Sequence, residues 1–212
     1  KGKWAILLNA YEIKEDCNVR VKINQQTIHE RWVKGDLHLH TNHSDGAYSV
    51  AEVMDYAKKA GLDFIALTDH NTFSQNKLID TTINLAVIPG VELTTNNGHC
   101  NFYGVEKPFR DFRCSSLEDV KTVIDEGRSN QALISVNHPH CNFCPWEWGL
   151  EDIGFDYVEV WNGPWSNANH RALNWWQEQL EKGNKLIALG GSDKHGPHQV
   201  NKYGIPTSLV KS

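Results

Sequence analysis

Trp32-Val33-Lys34-Gly35-Asp36-Leu37-His38-Leu39-His40 runs on into Thr41-Asn42-His43-Ser44-Asp45-Gly46, and its reading decides the fold. A short run that ends in alternating leucine and histidine reads as a strand whose last residues face a site. Side chains two apart on a strand share a face, so His38 and His40 can grip one ion while Leu37 and Leu39 pack behind them. Similar fragments follow at expected strand ends: Thr68-Asp69-His70, Gly90-Val91-Glu92, His99, Asn137-His138-Pro139 and Gly191-Ser192-Asp193-Lys194-His195. One such pair alone reads better as structural histidines. Six fragments in one chain read as a multinuclear metal site, and imidazoles mixed with carboxylates suit zinc, manganese or iron better than calcium or magnesium.

Outward from that stretch, short apolar runs alternate with helical patterns. Strands are expected near 33–40, 62–68, 86–92, 101–105, 132–137, 156–161 and 185–190. Ser49 is placed to cap a helix that stops at Gly61, Ser116-Leu117-Glu118-Asp119 reads as a capping box before a helix to Gly127, and a third helix is expected over 167–182. The alternation predicts parallel β/α units, and in such barrels the loops after the strands gather catalytic groups at one face. Trp175-Trp176 on the third helix reads as packing. Residues 4–32 alternate loosely, with Ile13, Val19, Val21 and Ile23 among polar residues, so residues 1–31 are expected to form an N-terminal β extension before a catalytic domain over 32–212.

With 212 residues and 24.1 kDa, the chain can bury one sizeable core. Hydrophobic residues make up 40% and charged residues 22%, and no apolar run approaches a bilayer span, so no membrane partner is expected. A net charge of -5 without a basic stripe argues against a stable nucleic acid partner. The five cysteines are odd in number, and no charged-then-apolar leader is visible, which points to a reduced, cytoplasmic protein; a leader already removed would leave the same sequence. Cys141-Asn142-Phe143-Cys144 reads as loop cysteines, because a zinc knuckle needs a second pair.

The fragments HLHTNHSDG, LTDHN, PGVE, NHPH and GGSDKH resemble, in order, the motifs of the PHP superfamily, named for polymerase and histidinol phosphatase. The resemblance covers about residues 32–208, and Trp32 to Asp45 with Glu159-Val160-Trp161-Asn162 is closest to the CehA/McbA-like branch. It implies a distorted (β/α)7 barrel and two or three divalent transition metal ions. By this resemblance His38, His40, Glu92 and Asp193 hold the first ion. Glu92 bridges to a second, bound also by His99 and His138, and Asp45, His70 and His195 hold a third. Trinuclear members carry a histidine near the position of Asp45-Gly46 that this chain lacks, which implies a weaker third site. Asp69 faces away from His70 and is expected to orient a ligand by hydrogen bonds. His43, His140, His170 and His198 are left for surface or substrate contacts, and His29 for plain surface.

A water shared between two such ions loses its proton near a pH of roughly 7, giving a hydroxide nucleophile without a serine or cysteine. Asp193 or His195 then handles the proton beside Glu92. Divalent ions would outweigh the carboxylates of Asp45, Glu92 and Asp193, which favours a small anionic phosphate ester, with Lys194, Arg171 and His198 as candidates for its distal end and Trp161 for a ring. The expected activity is hydrolysis of a phosphomonoester or phosphodiester. Hydrolysis of a carbamate, carboxyl ester or amide is the alternative within enzymes, and a non-catalytic PHP metal-binding module the alternative outside them.

Overall fold

Gly35 lies in the middle of the first strand because no side chain fits there: a Cβ would meet the ring of Phe64 at 2.0 Å. That close approach pairs β1 (Trp32–Asp36) in parallel with β2 (Phe64–Leu67). The computed structural model describes residues 30–105, 111–151 and 153–211, and Arg31–Ser212 forms one compact unit. The β extension expected over residues 1–31, with Cys17 and His29, falls almost wholly outside the described residues.

The remaining elements are α1 (Val50–Lys59), a 3-10 turn over Ser74–Leu78, β3 (Ala86–Thr95), β4 (Gly98–Tyr103), α2 (Leu117–Ser129), β5 (Leu133–Val136), β6 (Tyr157–Asn162), α3 (Asn167–Glu181), β7 (Ile187–Gly191) and β8 (Ser208–Lys211). They build an eight-stranded, nearly closed barrel-like sheet in the order β7-β6-β5-β4-β3-β2-β1-β8. The distorted barrel implied by the sequence is therefore present. Its distortion lies in two places: β4 runs antiparallel to both β3 and β5, and β8 runs antiparallel to β1. Parallel β/α units throughout would need a crossover between β3 and β4, whereas Asn96-Asn97-Gly98 turns the chain straight back.

Helices α1 and α2 form where capping and apolar spacing agree. Ser49 and Ser116 each close a capping box, with Glu52 and Asp119 answering from the third helical position. Val50, Val53, Met54 and Ala57 bury one stripe of α1 against Leu39, Ile65 and Leu67, while Val120, Val123 and Ile124 bury one stripe of α2 among Phe102, Ile134 and Val136. Trp175 and Trp176 pack against that second cluster, and the Trp176 indole N–H donates to the Leu186 carbonyl.

The barrel closes at a seam between its first and last parallel strands. Ser208 Oγ donates to the Gly190 carbonyl and accepts from the Gly190 N–H, joining β8 to β7. Above it, the Asp193 N–H donates to the His38 carbonyl and the His40 N–H to the Lys194 carbonyl. The buried Asp36 carboxylate pins the same seam, accepting from the backbone N–H groups of His38, Ser192 and Gly204. Burial pushes its pKa up to about 6 against the pull of those donors.

Candidate metal centre

Each strand that ends at this face delivers a ligand-type side chain. β1 runs on into His38 and His40, and β2 into His70, which pairs beside Glu92 of β3. β4 carries His99 near its start, β5 leads to His138, β6 carries Glu159, and β7 leads to Asp193 and His195. Backbone strain marks the same places: His138 and Asp193 have φ of 29° and 52°, and Asn71, beside His70, has 49°. Such conformations cost about 1–3 kcal/mol each and persist where surrounding contacts enforce them. Asn71 shows the enforcement, its side chain donating to the Thr94 carbonyl and accepting from the Thr94 N–H.

Glu92 is fully buried at the middle of the cluster. Its Oε1 lies 3.2 Å from His38 Nε2, 3.4 Å from His99 Nδ1 and 3.7 Å from His138 Nε2, while Oε2 lies 2.8 Å from His70 Nδ1 and 3.5 Å from His40 Nε2. Asp193 Oδ1 approaches His40 Nε2 at 3.1 Å and His38 Nε2 at 3.3 Å. Asp45, 59% exposed, sets Oδ1 3.3 Å from His195 Nε2 and 3.5 Å from His70 Nε2.

The nine residues expected to hold metal thus converge, in overlapping sets whose donor atoms lie within 4.8 Å of one another. His38, His40 and Glu92 make one set, His38, His138 and Asp193 another, and His70, Glu92 and His99 a third. The fourth joins His40 to Asp45, His70 and His195, so His40 faces two sets rather than the first alone. A fifth contains a residue that the sequence reading had set aside as a loop cysteine: Cys144 with His99 and His138.

These residues fit divalent metal by one criterion in particular. His38 Nε2, both nitrogens of His40, Glu92 Oε2 and Asp193 Oδ1 are buried polar atoms that make no hydrogen bond, although they face one another. Buried polar atoms are normally hydrogen-bonded, and donor atoms aimed at a common point are the arrangement a cation satisfies. Burial alone would raise the carboxyl of Glu92, yet His38, His138 and His70 hold it well below its usual value; Asp193 is likewise held down by His38 and His40. Burial opposes charge on His38 as well, but Asp193, Glu159 and Glu92 outweigh it and raise its pKa well above the ordinary imidazole value.

Glu159 is the residue that motif reading quoted without a role. Buried beneath the site, it sets Oε1 3.0 Å from His38 Nδ1, and its Oε2 accepts from the His138 N–H and from Asn162 Nδ2 at 3.0 Å each. A carboxylate there keeps the proton on Nδ1 and leaves the Nε2 lone pair for the cluster. Asn162 Nδ2 also reaches Asp193 Oδ2 at 3.2 Å, and Asn137 Nδ2 donates to Glu92 Oε1 at 2.7 Å. Asp69 acts one step further out than expected, accepting from the Thr41 N–H and from the hydroxyls of Thr41 and Ser44, which braces the turn that presents Asp45.

The four candidates for holding substrate divide. Lys194 is buried, its Nζ donating to the carbonyls of Gln199 and Asn201, so its amine is committed to a loop and is not free for a ligand. Arg171 Nη2 is engaged by the His140 carbonyl and Asn142 Oδ1. By contrast, His198 is exposed and lines a shallow pocket of about 340 Å³ with Asn162 and Asp193. Trp161 is 39% exposed, its ring edge-on to Trp165 at 4.9 Å. Among the spare histidines, His43 Nδ1 lies 2.6 Å from Ser74 Oγ and His170 stands edge-on to Trp165.

The sequence pattern of the PHP domain matches residues 36–142, half of the chain. The chain belongs to the PHP domain family. The match spans the ligands from His38 to His138 and stops short of Glu159, Asp193 and His195. A stretch of 41 residues is 44% identical to the DNA polymerase/3'-5' exonuclease PolX of Bacillus subtilis, over 19% of this chain and 7% of that protein. A two-domain protein of Bacteroides vulgatus, described as containing a PHP-like metal-dependent phosphoesterase, superposes with a TM-score of 0.64 at 23% identity, over 86% of this chain and 59% of that one. An amidohydrolase of Chromobacterium violaceum, with bound sulfate and no metal, gives 0.59 at 16% identity, over 82% of this chain and 90% of that one. The PHP chain therefore matches a small part of the polymerase and spans under two thirds of the two-domain protein, and these likenesses of structure speak for the fold alone.

Proposed function

We propose that residues 32–212 are a metal-dependent phosphoesterase domain that hydrolyses a small phosphomonoester or phosphodiester. The observation that carries this reading is the set of buried, unpartnered donor atoms on His38, His40, Glu92 and Asp193, ringed by His70, His99, His138, His195 and Asp45. Two or three zinc, manganese or iron ions held there would supply a hydroxide nucleophile near neutral pH and neutralise phosphate oxygens. The chain's own part is positional. Glu92 brings both halves of the cluster to one carboxylate, and Glu159 and Asn162 fix His38 and Asp193. Asp193 and His195 stand where a proton can be handed to a leaving oxygen, since His195 is partly open to solvent and its Nδ1 lies 2.8 Å from the Asp193 carbonyl. With the Lys194 amine committed to its own loop, the exposed His198 and Trp161, and the guanidinium nitrogens of Arg171 other than Nη2, are left to meet the far end of the substrate.

Gently purified protein, with its transition metals counted, is to be assayed on p-nitrophenyl phosphate, bis-p-nitrophenyl phosphate and an aryl carbamate, before and after chelation. Metal-dependent turnover of either phosphate ester supports the reading, and full activity after chelation sinks it. The fold shared with a protein called an amidohydrolase keeps carbonyl hydrolysis as a second reading, for which the carbamate alone would turn over. Bound metal with no turnover of any ester would leave a binding module.

A further inference from the structure

The loop after β5 is docked in a way that the proposed phosphoesterase site does not require. Trp146 is buried against the β3–β4 turn, where a Cβ on Gly98 would lie 2.6 Å from the Trp146 Cα. The Glu147 N–H donates to the Asn97 carbonyl, the Trp148 indole N–H to Thr95 Oγ1, and the Trp146 N–H to the Pro139 carbonyl. This docking carries Cys144 to the edge of the cluster, next to His99 on β4.

His138 there stands between two different neighbours. Nε2 looks toward Glu92 at 3.7 Å, and Nδ1 lies 3.7 Å from Cys144 Sγ. The outer nitrogen of a ligating histidine usually meets a carboxylate, a carbonyl or water; here it meets sulfur. One nitrogen each from His99 and His138 lies within 4.8 Å of that sulfur and of the other. Zinc-bound nitrogen and sulfur at ordinary bond lengths lie about 3.6 Å apart in a tetrahedral site. The Cys144 S–H donates to Cys141 Sγ at 3.3 Å, and Cys141 Sγ accepts also from the Phe143 N–H.

We infer that Cys144 is a metal ligand: with His138 and His99 it forms a soft, nitrogen–sulfur position at the rim of the carboxylate cluster, suited to zinc or cobalt over manganese. On binding, the thiol releases its proton to solvent, and the ion takes the sulfur lone pair together with one from His99 and that of His138 Nδ1. The His138 proton then sits on Nε2 facing Glu92, so an ion here takes the place of one shared by His138 and Glu92. The inference rests on the reading that the cluster holds metal, yet it can fail separately.

Cobalt(II) added to metal-free protein and followed by absorption tests it. The expected result is a near-ultraviolet thiolate-to-cobalt charge-transfer band beside the visible cobalt bands. The band should vanish in Cys144→Ser and persist in Cys141→Ser. The affinity of one cobalt equivalent should fall at least tenfold in Cys144→Ser, the low end of what losing even an outer partner costs. Visible bands in the wild type without a charge-transfer band overturn the thiolate position and leave the hydrolase reading intact. A band that survives Cys144→Ser, or is lost equally in Cys141→Ser, assigns the sulfur wrongly and also overturns it. Cobalt that fails to bind at all overturns both readings.

Discussion

Replacing Glu159 with glutamine keeps the side chain's shape and removes the charge that fixes the His38 tautomer. Losing such an orienting partner lowers metal affinity by about 10–100-fold; competition titration of Glu159→Gln against a coloured chelator should show that loss while the protein stays folded. Protons compete for the same atoms. Burial opposes charge on both His38 and His138, yet Asp193, Glu159 and Glu92 raise the pKa of His38 well above the ordinary imidazole value, and Cys144 followed by Glu92, Glu159 and Asp193 does the same for His138. A group raised in this way binds its proton first as pH falls, and a protonated imidazole cannot ligate. Apparent metal affinity should therefore fall as pH is lowered; competition titrations at a series of pH values that show no such fall would contradict the electrostatics. The convergence of these residues was legible because histidine and carboxylate cluster at strand ends. Glu159 was not, since the partner that gives it a role is 121 residues away and no spacing rule links them.

Gly98 holds two elements together, the turn into β4 and the loop that carries Cys144. It adopts φ of 121° and leaves no room for a Cβ beside Trp146. Gly98→Ala should destabilise the fold by about 1–3 kcal/mol through overpacking, with backbone strain adding to it, and differential scanning calorimetry reads the loss. On α2, Ser116→Ala removes the side-chain acceptor of its capping box and should cost about 1 kcal/mol, with metal content unchanged. The helix starts were readable in the sequence because caps are local chemistry. Two strands were misread or missed for the opposite reason. β4 has the length and composition of any buried strand, and only its tight Asn-Gly-containing turn betrays the antiparallel course. β8 has four residues, with Leu209 and Val210 exposed, so no apolar pattern announces it; its identity rests on pairing with β1, far away in sequence.

At the scale of the whole molecule, candidate ligands drawn from six strands would make any bound ion a cross-link. An ion held at a hundred times its dissociation constant stabilises the folded state by about 2.7 kcal/mol, which for a domain of this size lifts the thermal midpoint by about 5–10 °C. Chelation should lower the midpoint by that amount, and zinc should restore it; an unchanged midpoint would mean that the cluster stands without ions. The seam adds a consequence in time. The backbone that completes the far side of the His38–His40 stretch, Asp193 and Lys194, is made some 155 residues after it. At ordinary rates of synthesis, the roughly 100 residues between Glu92 and Asp193 take about 5–20 s to emerge. Throughout that interval the chain carries His38, His40, His70 and Glu92 without the Asp193 and His195 that complete two of their sets. A chain interrupted in that interval would carry part of the donor set without Asp193 and His195.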